Sequence, residues 1–143
     1  MADGRSKAVP SLDQERARFA WEKMHDDEMA GDEAYKRVAK SAPAMLVGSG
    51  LMQLLSFLQA KGKQHEKLAD HLREWLARGS WDSDSAKPGA DRKYEKFMQH
   101  LYESDAAYYR RATEEALALL RWIRQFADAT RRKGDRKGGA ATA

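Results

Sequence analysis

The sequence predicts an all-α protein, a single compact helical bundle of about five to six helices closed by a long C-terminal helix. Three observations predict it. Ala, Leu, Lys, Arg and Glu are abundant, β-branched residues are scarce and only three prolines occur (Pro10, Pro43, Pro88), a composition that favours helix over strand. From Ser41 to Ala60 twenty residues pass without a charge, in a chain that is 34% charged. Toward the C-terminus Tyr109, Ala112, Ala116, Leu119, Ile123, Phe126 and Thr130 recur in steps of three and four, the spacing of one helix face.

The first helix is expected from Ser11 or Leu12 to about Met29, with Leu12, Ala17, Ala20, Trp21 and Met24 turned inward. Its end is soft, because Asp26, Asp27 and Glu28 oppose the helix dipole there. A second helix starts after Asp32, a good N-cap, and carries Tyr35, Val38, Ala42 and Met45 to Gly48 or Gly50. Pro43 either kinks it or opens a new turn. Leu51, Leu54, Leu55 and Leu58 stripe a third helix that stops at Lys61-Gly62-Lys63, and His65 to Arg78 forms a fourth with Leu68, Leu72, Trp75 and Leu76 on one face. Gly79 to Asp91 reads as a loop that is mobile or a contact site. Tyr94, Phe97, Met98 and Leu101 build a short helix ending near Ser104 before the long last one.

The 143 residues make one domain, with residues 11–132 as the bundle, 1–10 as a flexible N-terminus and 133–143 as a disordered basic tail. The uncharged run has the length of a membrane span, but Pro43, Gly48, Ser49, Gly50, Gln53, Ser56 and Gln59 are poor hydrocarbon solutes, so it reads as the centre of a soluble core. No membrane partner is expected. The N-terminus lacks the apolar run of a secretory signal, which points to the cytoplasm. With no Cys, disulfides and thiolate chemistry are excluded.

Catalytic patterns do not converge. Glu22 and His25 have the spacing of a di-iron bundle ligand pair, but the chain holds no second copy. His65-Glu66 starts like a zinc-protease motif, yet position 69 is Ala, and His71 falls about 240° around the helix from His65. Gly48-x-Gly50 is followed by Gln53 and by no phosphate-loop lysine, so it reads as a helix corner. No catalytic residue, metal ligand or cofactor is assigned.

Net charge is only +4, so placement matters more than the total. Residues 91–143 carry twelve basic and eight acidic side chains, and much of that excess has a partner four residues away: Arg110 with Glu114, Arg111 with Glu115, Arg124 with Asp128, Asp128 with Arg132. Lys40, Lys61, Lys63, Arg121 and Arg131 are the phosphate candidates that remain. Lys36, Arg37 and Arg124 join them as possible members despite local partners. If the two helices of the uncharged run form a hairpin, Lys40 and Lys61 to Lys63 lie near one edge of the bundle.

Two blocks carry a family resemblance. Tyr35-Lys36-Arg37-Val38-Ala39-Lys40-Ser41-Ala42-Pro43-Ala44-Met45-Leu46-Val47-Gly48-Ser49-Gly50-Leu51 with Phe57-Leu58 forms the first. Tyr108-Tyr109-Arg110-Arg111-Ala112-Thr113-Glu114-Glu115-Ala116-Leu117 with Trp122-Ile123-Arg124-Gln125-Phe126-Ala127 forms the second. In order and separation they resemble the small helical subunit of type III-B (Cmr) CRISPR effector complexes, over roughly Leu12 to Ala129 and weakly across Gly79 to Asp91. The resemblance implies a non-enzymatic building block of antiviral defence. Copies stack as a minor filament beside the larger subunits that hold the guide RNA and cleave the target. Its partners are then those subunits, further copies of itself, and the phosphates of guide and target RNA. The competing expectation is an interaction module without RNA contact, anchored by Trp81 and one of Tyr102, Tyr108 or Tyr109.

Overall fold

The computed structural model of the chain describes residues 8–26, 28–84 and 89–130. Six helices and no strand occur among them: α1 Leu12–Met24, α2 Glu33–Ser49, α3 Leu51–Lys61, α4 Lys63–Arg78, α5 Tyr94–Glu103 and α6 Ala106–Ala129. The expected flexible N-terminus and basic tail fall largely or wholly outside the described residues.

Local chemistry sets each boundary. Ser11 and Gln14 close a reciprocal capping box at the start of α1, at 3.1 and 2.7 Å. That helix ends at Met24, five residues earlier than expected, because the Asp26 carboxylate accepts the Glu28 backbone N–H at 2.9 Å. An aspartate that bonds its own backbone competes with the helical ladder. Met29 then folds back into the core. Asp32 and Asp105 cap α2 and α6, each taking an N–H three residues on at 2.8 Å. α2 runs through Pro43 without a break, losing only the bond that the proline nitrogen would have given Ala39. Corners at Gly50 and Gly62, with φ of 90° and 72°, use a backbone region that L side chains rarely adopt. The α3 N-terminus lacks a cap from its own residues, and the Tyr109 hydroxyl of α6 supplies one by accepting the Met52 N–H at 3.0 Å.

The core gathers around α4, whose Leu68, Ala69, Leu72, Trp75 and Leu76 are all buried. α6 lies against α1 on one side and α2 on the other. The inward residue of α1 is Phe19, while Trp21, expected inside, is half exposed. It stacks on His25 with ring centroids 3.8 Å apart and meets the Phe126 edge at 5.3 Å. Trp81 is no surface anchor: it is buried, donates to the Leu76 carbonyl at 2.8 Å and packs on Tyr108.

Ion pairs knit the α1–α4–α6 side. Glu115 is buried and receives the Arg16 guanidinium through two bonds of 2.7 Å and the Trp75 indole N–H at 2.8 Å. This corrects the expected Arg111–Glu115 pair. Glu115 lies on the inward stripe with Ala112, Ala116 and Leu119, so Arg111 reaches instead to Asp82, at 2.9 and 3.1 Å. Those two bonds hold the Asp82 carboxyl below its ordinary pKa. Lys23, Arg78 and Arg92 converge on Glu74. Burial pushes that carboxyl up, but the three cations outweigh it and leave its pKa lowered.

Candidate nucleic-acid interface

α2 and α6 run antiparallel, and two contacts fix their register. Asp32 and Tyr35, at the start of α2, line one small void with Ala127 and Thr130, at the end of α6. At the other end Tyr109 reaches the α2–α3 corner. At about 1.5 Å per residue, Lys40 lies level with Arg121, and Arg37 with Arg124. All four side chains are exposed.

The other candidates approach α2 from the opposite flank. Gln64, in the first turn of α4, donates to the second Asp32 oxygen at 2.6 Å, which sets the corner carrying Lys61 and Lys63 against the first turn of α2. Lys36 and Lys40 follow one and two turns along. The expected gathering of Lys40, Lys61 and Lys63 at one edge therefore has a structural basis. α2 stands between two groups of cations, Lys61 and Lys63 on one flank and Arg121 and Arg124 on the other.

Pairing separates these residues from the remaining cations. Arg16, Arg18, Lys23, Lys67, Arg73, Arg78, Arg92 and Arg111 each hold a carboxylate. Among the described residues no carboxylate lies at ion-pair distance from Arg37, Lys40, Lys61, Lys63, Arg121 or Arg124. The expected Arg124–Asp128 and Arg110–Glu114 pairs do not form. Lys36 does pair, with Glu33 at 3.4 Å. Lys61 rests over the Phe57 ring at 5.5 Å, its charge still exposed. Arg131 lies outside the described residues, as does Arg132, the expected partner of Asp128.

Sequence spacing missed three exposed cations that are equally unpaired: Lys93 and Lys96, by and on α5, and Arg110 on α6. Neighbouring carboxylates hid them, since Asp91 accepts the Lys93 backbone N–H and leaves the ammonium alone. Only side-chain direction, which spacing does not give, would have exposed them.

No group of three or more metal-ligating side chains converges among the described residues. Each imidazole has an aromatic neighbour: His25 stacks on Trp21, His65 meets Phe57, His71 takes the Tyr35 hydroxyl at 2.8 Å and His100 the Tyr108 hydroxyl at 2.8 Å. Burial, helped by the nearby Lys23 charge, holds the His71 pKa down at about 4. No described helix is long and apolar enough to cross a membrane.

Comparison with known proteins adds three findings. The family model for the CRISPR-associated protein Cas_Cmr5 matches residues 12–130. The CRISPR system Cmr subunit Cmr5 of Thermus thermophilus is 27% identical over 115 residues, spanning 79% of this chain and 90% of that protein. The X-ray crystal structure of a CRISPR-associated Cmr5 family protein from Thermus thermophilus matches with a TM-score of 0.67 at 25% identity, covering 86% of this chain and 100% of that one.

Proposed function

This chain belongs to the Cmr5 family, the small subunits of type III-B Cmr CRISPR complexes, and we propose that it acts there as a non-catalytic building block that holds RNA phosphates with unpaired cations. The observation that carries this reading is the sorting of charge. Cations on the α1–α4–α6 side are neutralised within the fold, whereas Arg37, Lys40, Lys61, Lys63, Arg121 and Arg124 point outward with no carboxylate at hand. The start of α4 adds to them, since no side chain caps it and a helix N-terminus carries partial positive charge. Lys36 takes part by exchanging Glu33 for phosphate, and Arg131 is a candidate from the sequence alone.

The mechanism is additive electrostatics. Several copies stack as a filament along the guide and target RNA, beside the larger subunits, in the cytoplasm. Each copy neutralises a few phosphates, and repetition converts weak contacts into useful affinity through high effective concentration. A free copy therefore binds RNA poorly. Phosphate contacts of this kind read no sequence, so the subunit tolerates any guide.

The test is charge reversal in the assembled complex. Arg37→Glu with Lys40→Glu should weaken binding of target RNA by about tenfold or more at physiological salt, with the subunit still incorporated. Unchanged RNA affinity with full incorporation would leave the chain as an interaction module without RNA contact.

A further inference from the structure

The uncharged run from Ser41 to Ala60 supplies the core from one side only. Leu46, Leu51, Leu54, Leu55 and Leu58 are buried, but Ala44, Val47, Gly48, Gln53, Phe57 and Ala60 face outward. Packing explains why the buried set is apolar, and it places no such demand on the exposed set. Val47 is 73% exposed and Phe57 38%, and across the α3–α5 groove Tyr102 is 64% exposed. Between them Met52, Gln53, Ser56, Phe57 and Met98 line a shallow hollow of about 410 Å³, room for one large side chain, with methionines that adapt to what enters. Gly48 belongs to the same face, and a Cβ added there would meet nothing within 4 Å. The bundle does not require glycine at that point, although glycine costs about 1 kcal/mol relative to alanine inside a helix.

Charge depletion around exposed apolar groups marks the centre of a protein interface. The rim identifies the occupant. Lys40 and Lys61 flank the run without carboxylate partners. Glu103, beside Tyr102 in sequence, instead lines a different cavity with Asp84 and Asp105. Two copies meeting through this face would bring together two cation-edged surfaces with no carboxylate between them. RNA phosphates would find no cation within it.

We infer that the uncharged outer face of α2 and α3, continued by Met98 and Tyr102 of α5, docks a different protein subunit of the complex, one that presents an apolar anchor edged by carboxylates. The inference rests on membership of the Cmr complex. The test places a benzophenone amino acid at position 53 of the full chain, in complex purified through a tagged larger subunit, with the captured chain identified by mass. Photo-cross-linking of position 53 to another protein subunit is expected. A Val47→Arg, Gln53→Arg chain should be recovered with the complex about tenfold less, equivalent to about 1.4 kcal/mol, while keeping its helix content and melting temperature. Cross-linking to a second copy or to RNA would overturn the inference, as would full recovery of the charged variant or recovery of the chain with no cross-link. Failure of the unaltered chain to accompany the complex would instead refute the membership on which the inference rests.

Discussion

The two flanks of α6 treat charge in opposite ways. On the α1 side Glu115 is buried and satisfied by Arg16 and Trp75, and Glu74 and Asp82 draw in four further cations. On the α2 side Arg37 and Lys40 stand alone, and the face beyond them has no charge at all. One flank uses its ionic groups to hold the bundle together and the other leaves its surface to partners. A cation count describes both flanks alike. The position of the carboxylates tells them apart.

Substitutions should break that contrast in order of size. Glu115→Ala leaves Arg16 facing an uncompensated buried site and strips the Trp75 N–H of its acceptor, so denaturant unfolding should show a loss of about 3–5 kcal/mol. A loss under about 1 kcal/mol would mean that the α1 flank is not held by this carboxylate.

The next effect is in pH. His71 is held neutral in the fold at a pKa of about 4, against 6.5 for the free group. Its contribution is fully present above pH 6.5. It fades as pH falls toward 4, where the unfolded chain takes up a proton that the folded one refuses, by up to about 3 kcal/mol in all. Below pH 4 the lowered carboxyls Glu74 and Asp82 take over the decline. His71→Gln should flatten the melting temperature between pH 6.5 and 4. An unaltered slope would place the titration elsewhere.

The α2 flank should respond weakly in the isolated chain. Gly48→Ala should gain about 0.5–1 kcal/mol in thermal or denaturant unfolding, since nothing obstructs the added methyl. Lys40→Ala and Arg121→Ala should change stability by less than about 0.5 kcal/mol. A larger loss at either would reveal that these cations hold the bundle together instead of waiting for a partner.

The helices were legible because their signals are local. Asp32, Gly50 and Gly62 mark boundaries by their own chemistry, and the apolar steps of α6 name its inward face. What stayed hidden depends on direction and distance. Glu115 sits four residues from Arg111 yet turns toward α1. Trp21 has the composition of a core residue and half the exposure of a surface one. Pro43 looks like a break in isolation, but the residues on either side of it hold α2 straight. Of the candidate site, the identity of the cations was readable along the chain. Their meeting around α2 depends on the antiparallel register with α6 and on the Gln64–Asp32 bond, neither of which spacing encodes.

The most direct test of the central claim is the salt dependence of target-RNA binding by the assembled complex, compared between neutralised unpaired cations (Lys40→Gln, Arg121→Gln) and neutralised paired ones (Arg18→Gln, Lys67→Gln). The unpaired set should weaken binding and flatten the dependence of log affinity on log salt, by about one unit of slope for each phosphate that the complex no longer neutralises. The paired set should leave both unchanged. Equal effects from the two sets, or none from the first, would contradict the assignment of RNA contact to the unpaired cations around α2.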